Sequence, residues 1–109
     1  MIKTNIYSDK LEDASDADLT NLAAQSIGRW CKDFNCYVGP LNFDPLNNYD
    51  DAMMLAIEHE LLIDLEGGTC EVILLGEKIG NVQVFISRKT DKKSICRAIT
   101  RASASLMVT

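Results

Sequence analysis

Residues 44–65 read as a turn, a capped helix and a strand in immediate succession, and that order is the tightest constraint on what this chain can fold into. Asn47 and Asn48 suit the turn, because short amide side chains bond to nearby backbone and tolerate left-handed geometry. Asp50 and Asp51 then fall at a helix start, where a carboxylate accepts from free N–H groups and opposes the positive end of the helix dipole. The spacing predicts a helix over 50–60. Ala52, Leu55, Ala56 and His59 line one stripe of it, with Met53 and Ile57 beside them, so most of its circumference is expected to be buried. Residues 61–66 follow as a strand, which Gly67 and Gly68 end.

The flanking segments fit the same plan. Residues 1–15 are polar, with weak alternation at Ile2, Thr4 and Ile6, and read as a loose arm or a short edge strand. Ser15 is a predicted N-cap with Asp18 three residues on, a variant of the capping box. Leu19, Leu22, Ala23, Ile27 and Trp30 then mark one face of a helix over 16–29, with Gly28 close to its end. From 31 to 46 periodicity fails; Gly39-Pro40 and Asp44-Pro45 are turn signals among Phe34, Tyr37, Val38, Leu41 and Phe43. A second strand is predicted over 70–75, and 76–81 make a hairpin-type connection into a third. In that third strand Val82, Val84 and Ile86 point one way and Gln83, Phe85 and Ser87 the other. The last helix is predicted over 91–107, packing through Ile95, Ile99, Ala102 and Leu106, with Arg97 and Arg101 on a different face. The expectation is one α+β domain over 16–109, a three-stranded antiparallel sheet packed with about three helices.

At 109 residues the chain can bury a real core without staples. With 47% hydrophobic and 25% charged residues its composition is that of an ordinary globular domain. The N-terminal residues lack the apolar core of a cleaved leader, and no apolar run approaches the roughly 20 residues needed to span a bilayer. Cys31, Cys36, Cys70 and Cys96 form no C-x-x-C pair, so the expectation is a cytoplasmic protein with free thiols and no membrane contact. The net charge of −5 hides an asymmetry: residues 1–66 carry thirteen Asp/Glu against four Lys/Arg, and residues 67–109 three against seven. Phosphate binding needs clustered cations, so direct nucleic-acid binding is not expected of the acidic part. An acidic face can steer towards a basic protein surface; both halves can equally be solvated faces of one domain.

No candidate for chemistry outweighs its plainer reading. A closed zinc site wants four ligands in two tight pairs, whereas Cys31 and Cys36 are spaced C-x4-C and the other cysteines are isolated, so no metal is expected. His59 on a helical stripe reads as a packed histidine before it reads as the partner of a thiol nucleophile. Asp44, Asp50 and Asp51 match no calcium loop, and the glycines open no phosphate-binding helix, so no cofactor is expected. Arg88-Lys89-Thr90-Asp91-Lys92-Lys93 is a basic cluster that either grips phosphate or an acidic partner, or is a solvated turn. The chain is therefore expected not to be an enzyme.

Residues 19–28, then Phe43-Asp-Pro-Leu-Asn-Asn-Tyr-Asp-Asp-Ala and its helix, a hairpin and an Ala-rich closing helix resemble the NinX-type family of small tailed-phage proteins, whose function is unassigned and whose domains are related to phage α/β/α sandwiches. The likeness covers 16–107 in order of elements, and Asn47, Asn48, Asp51 and Ala52 carry its closest match. Tyr49-Asp50 departs from the family, where a Pro is common, and this chain has fewer tryptophans. The resemblance implies a phage or prophage accessory protein in the cytoplasm of a bacterial host. It carries over no catalytic residue. An accessory protein without chemistry is expected to act by binding a host protein, as an inhibitor of a defence complex such as a CRISPR-type nuclease. The alternatives are a module that sequesters a small ligand or nucleotide, and a regulatory or structural phage protein. The predicted partner surface is Phe34, Tyr37, Phe43, Asp44, Tyr49, Asp50 and Asp51, aromatic anchors ringed by charge; the alternative is that these rings fold back as a lid that closes the core, and their exposure decides between the two. The second candidate is Arg88, Lys89, Lys92 and Lys93. Ala98, Ala102 and Ser105 on the last helix admit a homodimer.

Overall fold

The computed structural model describes residues 4–28, 30–31, 33–37, 42–75 and 81–108. The expected antiparallel meander is present: β4 (Leu62–Asp64), β5 (Cys70–Leu75) and β6 (Asn81–Ser87), with Leu62 opposite Ile73 and Cys70 opposite Ser87. The N-terminal segment takes the edge-strand reading. β1 (Thr4–Tyr7) adds to β6 in parallel, Tyr7 opposite Val84, giving the order β1-β6-β5-β4. A parallel partner needs a long crossover, and most of the chain lies between these two strands. The predicted connection at 76–80 lies outside the described residues.

Local chemistry sets the helix limits. α1 (Asp16–Ser26) starts at Ser15, whose hydroxyl accepts from the Asp18 N–H at 3.1 Å. It stops short of residue 29 because Gly28, at φ 69°, turns left-handed and its N–H donates to the Gln25 carbonyl at 3.0 Å. Trp30, expected on the α1 stripe, therefore belongs to β2 (Trp30–Cys31), which pairs antiparallel with β3 (Cys36–Tyr37). The stretch expected to lack regular structure contains this small ribbon; Val38, Gly39, Pro40 and Leu41 lie outside the described residues. α2 (Tyr49–Glu58) is capped by Asn48, whose side chain accepts from the Asp51 N–H at 3.2 Å, and Asp50 and Asp51 occupy its first turn. α3 (Lys92–Ser105) is capped by Asp91, which accepts from the Ser94 N–H at 2.7 Å.

The core forms where α3 lies over β5 and β6, with α1 and α2 packed against α3. Ile95, Ala98, Ile99 and Ala102 meet Val72, Leu74 and Phe85 from the sheet and Ala23, Ala24, Leu55 and Ala56 from the neighbouring helices. Small residues let α3 approach on several sides at once: Ala102, Ser103, Ala104 and Ser105 are all buried. Its buried hydroxyls bond to the preceding turn, Thr100 to the Cys96 carbonyl at 2.7 Å and Ser103 to that of Ile99 at 3.0 Å. Two expected core positions are not core. Leu106 lies beyond the end of α3, at its C-cap, and is exposed. Ile57 is 73% exposed, because the buried stripe of α2 is the narrower Ala52–Leu55–Ala56 line.

Candidate functional site

The structure divides the predicted aromatic–acidic surface. Phe43 is a correction: it is 7% exposed and belongs to the core, because residues 43–46 fold inward together with buried Pro45 and Leu46. Phe34, at the turn between β2 and β3, is 78% exposed. Tyr37 pairs in register with Trp30, and only its backbone is described. Asp44 and Asp51 are engaged with the chain itself. The Asp44 N–H donates to Asp51 Oδ2 at 2.8 Å, and the Asp44 carboxylate accepts from Asn47 Nδ2 at 3.0 Å. Together they pin the 43–48 loop to the first turn of α2.

Tyr49 and Asp50 remain exposed at the start of α2. Lys92 Nζ sits 5.8 Å from the centre of the Tyr49 ring, a cation–π distance. Arg88, Lys89, Lys92 and Lys93 are all exposed, and the two lysines of α3 line a cleft of about 140 Å³ with Leu46, Asn47 and Cys96. The two predicted sites are thus neighbours where α2 and α3 begin.

A third surface escaped the sequence reading. Tyr49, Met53 and Ile57 recur every four residues along the outer side of α2 and lead into a groove of about 380 Å³. Met53, Ala56, Ile57, Leu61, Leu62 and Ile63 form its apolar floor and Glu60 its rim. Among the described residues β4 pairs with β5 alone, so its outer edge is unpaired there beside the groove, and Glu58 and Asp64 are exposed. The sequence did hold a signal. Residues 33–77 contain ten Asp/Glu and no Lys or Arg, and the groove lies within that run.

The end of α2 adds a second mark. The Leu61 N–H donates to the Ala56 carbonyl at 2.9 Å and the Glu60 N–H to that of Ile57 at 3.2 Å, the paired bonds of a Schellman cap. Its left-handed position, commonly glycine, is Glu60 at φ 53°. Glu60 thus combines a left-handed backbone, which Leu11, Asn35 and Asn42 also adopt, with a charged side chain on the groove rim.

His59 is half-buried and its Nε2 lies 2.9 Å from Ser26 Oγ. The Ser26 hydroxyl donates to the Ala23 carbonyl at 2.6 Å, so His59 is the donor and Nε2 carries the proton. A serine whose proton is committed to backbone is not primed as a nucleophile. Burial pulls the His59 pKa below its ordinary 6.5, with Glu58 opposing. Burial raises the thiols of Cys70 and Cys96, which favours the unreactive protonated form. Among the described residues no group of His, Cys, Asp and Glu is placed to hold a metal ion, and no helix is long and apolar enough to cross a membrane.

Set against family models, curated proteins and solved structures, the chain matches none. The phage context therefore rests on the sequence resemblance alone, and the site on the geometry above.

Proposed function

We propose that this protein acts by binding, without catalysis, and that its partner is a protein with a cationic, partly apolar surface. The observation that carries this reading is the groove between α2 and β4: apolar floor, acidic rim, and no Lys or Arg anywhere in the 33–77 run that contains it. Apolar anchors surrounded by charge supply affinity at the centre of an interface and orientation at its rim. Of the predicted partner residues, Tyr49 and Asp50 extend this face; Phe43 does not.

A cationic partner agrees with the accessory-inhibitor reading. Proteins that grip nucleic acid present clustered Lys and Arg, and an acidic apolar face on a small phage protein is suited to occupy such a surface in a host defence complex. The test is affinity capture from a bacterial host lysate, with the retained protein identified by mass spectrometry and eluted by a salt gradient. The expected result is a stoichiometric basic protein whose retention weakens as salt rises. Retention of no protein, or of one indifferent to salt, contradicts the reading.

A further inference from the structure

Towards the β1 edge of the sheet, which β6 and β5 separate from β4, the loop after β1, the end of β6 and the first half of α3 enclose an open cleft of about 390 Å³, within the roughly 300–1,000 Å³ typical of small-ligand sites. Arg88, Arg97 and Arg101 line it with Ser87, Ser94 and Glu12. The three arginines are differently held. Arg88 is exposed and has no partner among the described residues. Arg97 donates to Asp16 at 3.0 Å and to the Ala14 carbonyl at 3.2 Å. Arg101 is only 7% exposed, stacks 5.4 Å from the centre of the Phe85 ring, and donates to the carbonyls of Ser8 and Lys10 at 3.2 and 3.0 Å.

Arg101 is the informative residue. Among the described residues it meets carbonyl oxygens and no carboxylate within ion-pair distance. Burial lowers its pKa and Arg97 adds to that, while Glu12 and Asp9 oppose; yet a guanidinium does not release its proton in proteins. A buried guanidinium with no carboxylate in direct contact is costly, and here it borders solvent-accessible space with two more guanidiniums and the Glu12 carboxylate around it. The strand edge contributes as well. The Val84 carbonyl accepts from the Ser8 N–H at 2.8 Å at the end of β1 pairing, so by alternation the Ile86 N–H points past β1 towards the cleft.

We infer that this cleft binds a small phosphate-bearing molecule, its phosphoryl oxygens taken by the guanidinium groups of Arg88, Arg97 and Arg101. Planar N–H forks match phosphate oxygens two at a time, and with Arg97 already paired to Asp16 the charges of Arg88 and Arg101 still outweigh the single Glu12 carboxylate on the wall. The volume beyond a phosphate admits a group the size of a nucleoside. The site is separate from the proposed protein-binding face and stands or falls without it.

The test is titration of isotope-labelled full-length protein, at constant ionic strength, with inorganic phosphate and separately with a nucleoside monophosphate. Backbone amides and arginine Nε–H groups are followed by NMR. Saturable shifts are expected at Ser87, Arg88, Arg97 and Arg101, in the millimolar range or tighter. The Arg88→Gln variant, whose exposed site keeps folding intact, should bind at least about threefold more weakly. Tighter binding of the nucleotide identifies a phosphomonoester as the ligand; equal binding identifies phosphate itself. Shifts that do not saturate by about 20 mM phosphate, or that are unchanged in Arg88→Gln, overturn the inference.

Discussion

Glu60 stands at the end of α2 where Gly28 stands at the end of α1: each is the left-handed residue that closes its helix, at φ 53° and φ 69°. Only one of the two carries a side chain there, and it is the one on the groove. The Glu60→Gly variant should therefore gain about 1 kcal/mol, from the relieved left-handed strain. Urea unfolding should show a higher midpoint at unchanged slope. The same variant should bind the partner more weakly. Unchanged or lower stability contradicts the strain argument.

Phe43 and Phe34 should separate core from surface. Phe43→Ala removes a buried ring and should cost about 3–5 kcal/mol, whereas Phe34→Ala should fall within about 0.5 kcal/mol of the parent. Comparable losses in the two variants would contradict the inward fold of residues 43–46.

Asp51 and Asp50 are adjacent acids with different tasks. Asp51→Ala leaves the half-buried Asp44 N–H without its acceptor and should cost about 1–3 kcal/mol. Asp50→Ala removes an exposed charge from the first turn and should cost about 0.5 kcal/mol. Chemical denaturation of the two variants in parallel measures the difference.

His59 makes stability depend on pH in a stated direction. Its folded pKa lies below the unfolded 6.5, so the unfolded chain binds the proton more readily. The neutral ring's contribution is full above 6.5 and is lost as pH falls from there through the lowered folded value. Denaturation midpoints between pH 7.5 and 5 should show this decline, and His59→Gln should remove it. A variant with the same pH profile as the parent contradicts the assignment.

Much of the fold was legible in the sequence because local signals and burial agreed there. Ser15 caps α1 as its spacing from Asp18 indicates, the last helix begins next to Asp91 as expected, and the meander follows from Gly67-Gly68 between alternating strands. The errors arose where periodicity is ambiguous. Ile57 and Leu106 both continue an apolar spacing, but the core takes only the narrower part of each stripe and leaves these two side chains exposed. Phe43 looked like an anchor because acidic residues surround it in the sequence, and a loop that folds its aromatic residue inward has the same sequence as one that displays it. The groove depends on tertiary placement of β4 beside α2. Its acidic run was visible in the chain; its apolar floor was not. Arg97 and Arg101 fall on a different face from the apolar stripe, and it is the return of the N-terminal arm across α3 that buries Arg101.

The most direct test of the proposed function is the affinity of the captured host partner for three forms of the protein: the parent, the Ile57→Asp/Asp64→Lys double variant, and Arg88→Gln. All three substituted side chains are exposed, so folding should survive and can be verified by circular dichroism. Loss of a central apolar anchor and reversal of a rim charge should together weaken binding at least about tenfold, most of it in the dissociation rate. Arg88→Gln, in the separate arginine-lined cleft, should bind as the parent does. Equal affinity of the parent and the folded double variant would contradict the claim that the α2–β4 groove is the binding face.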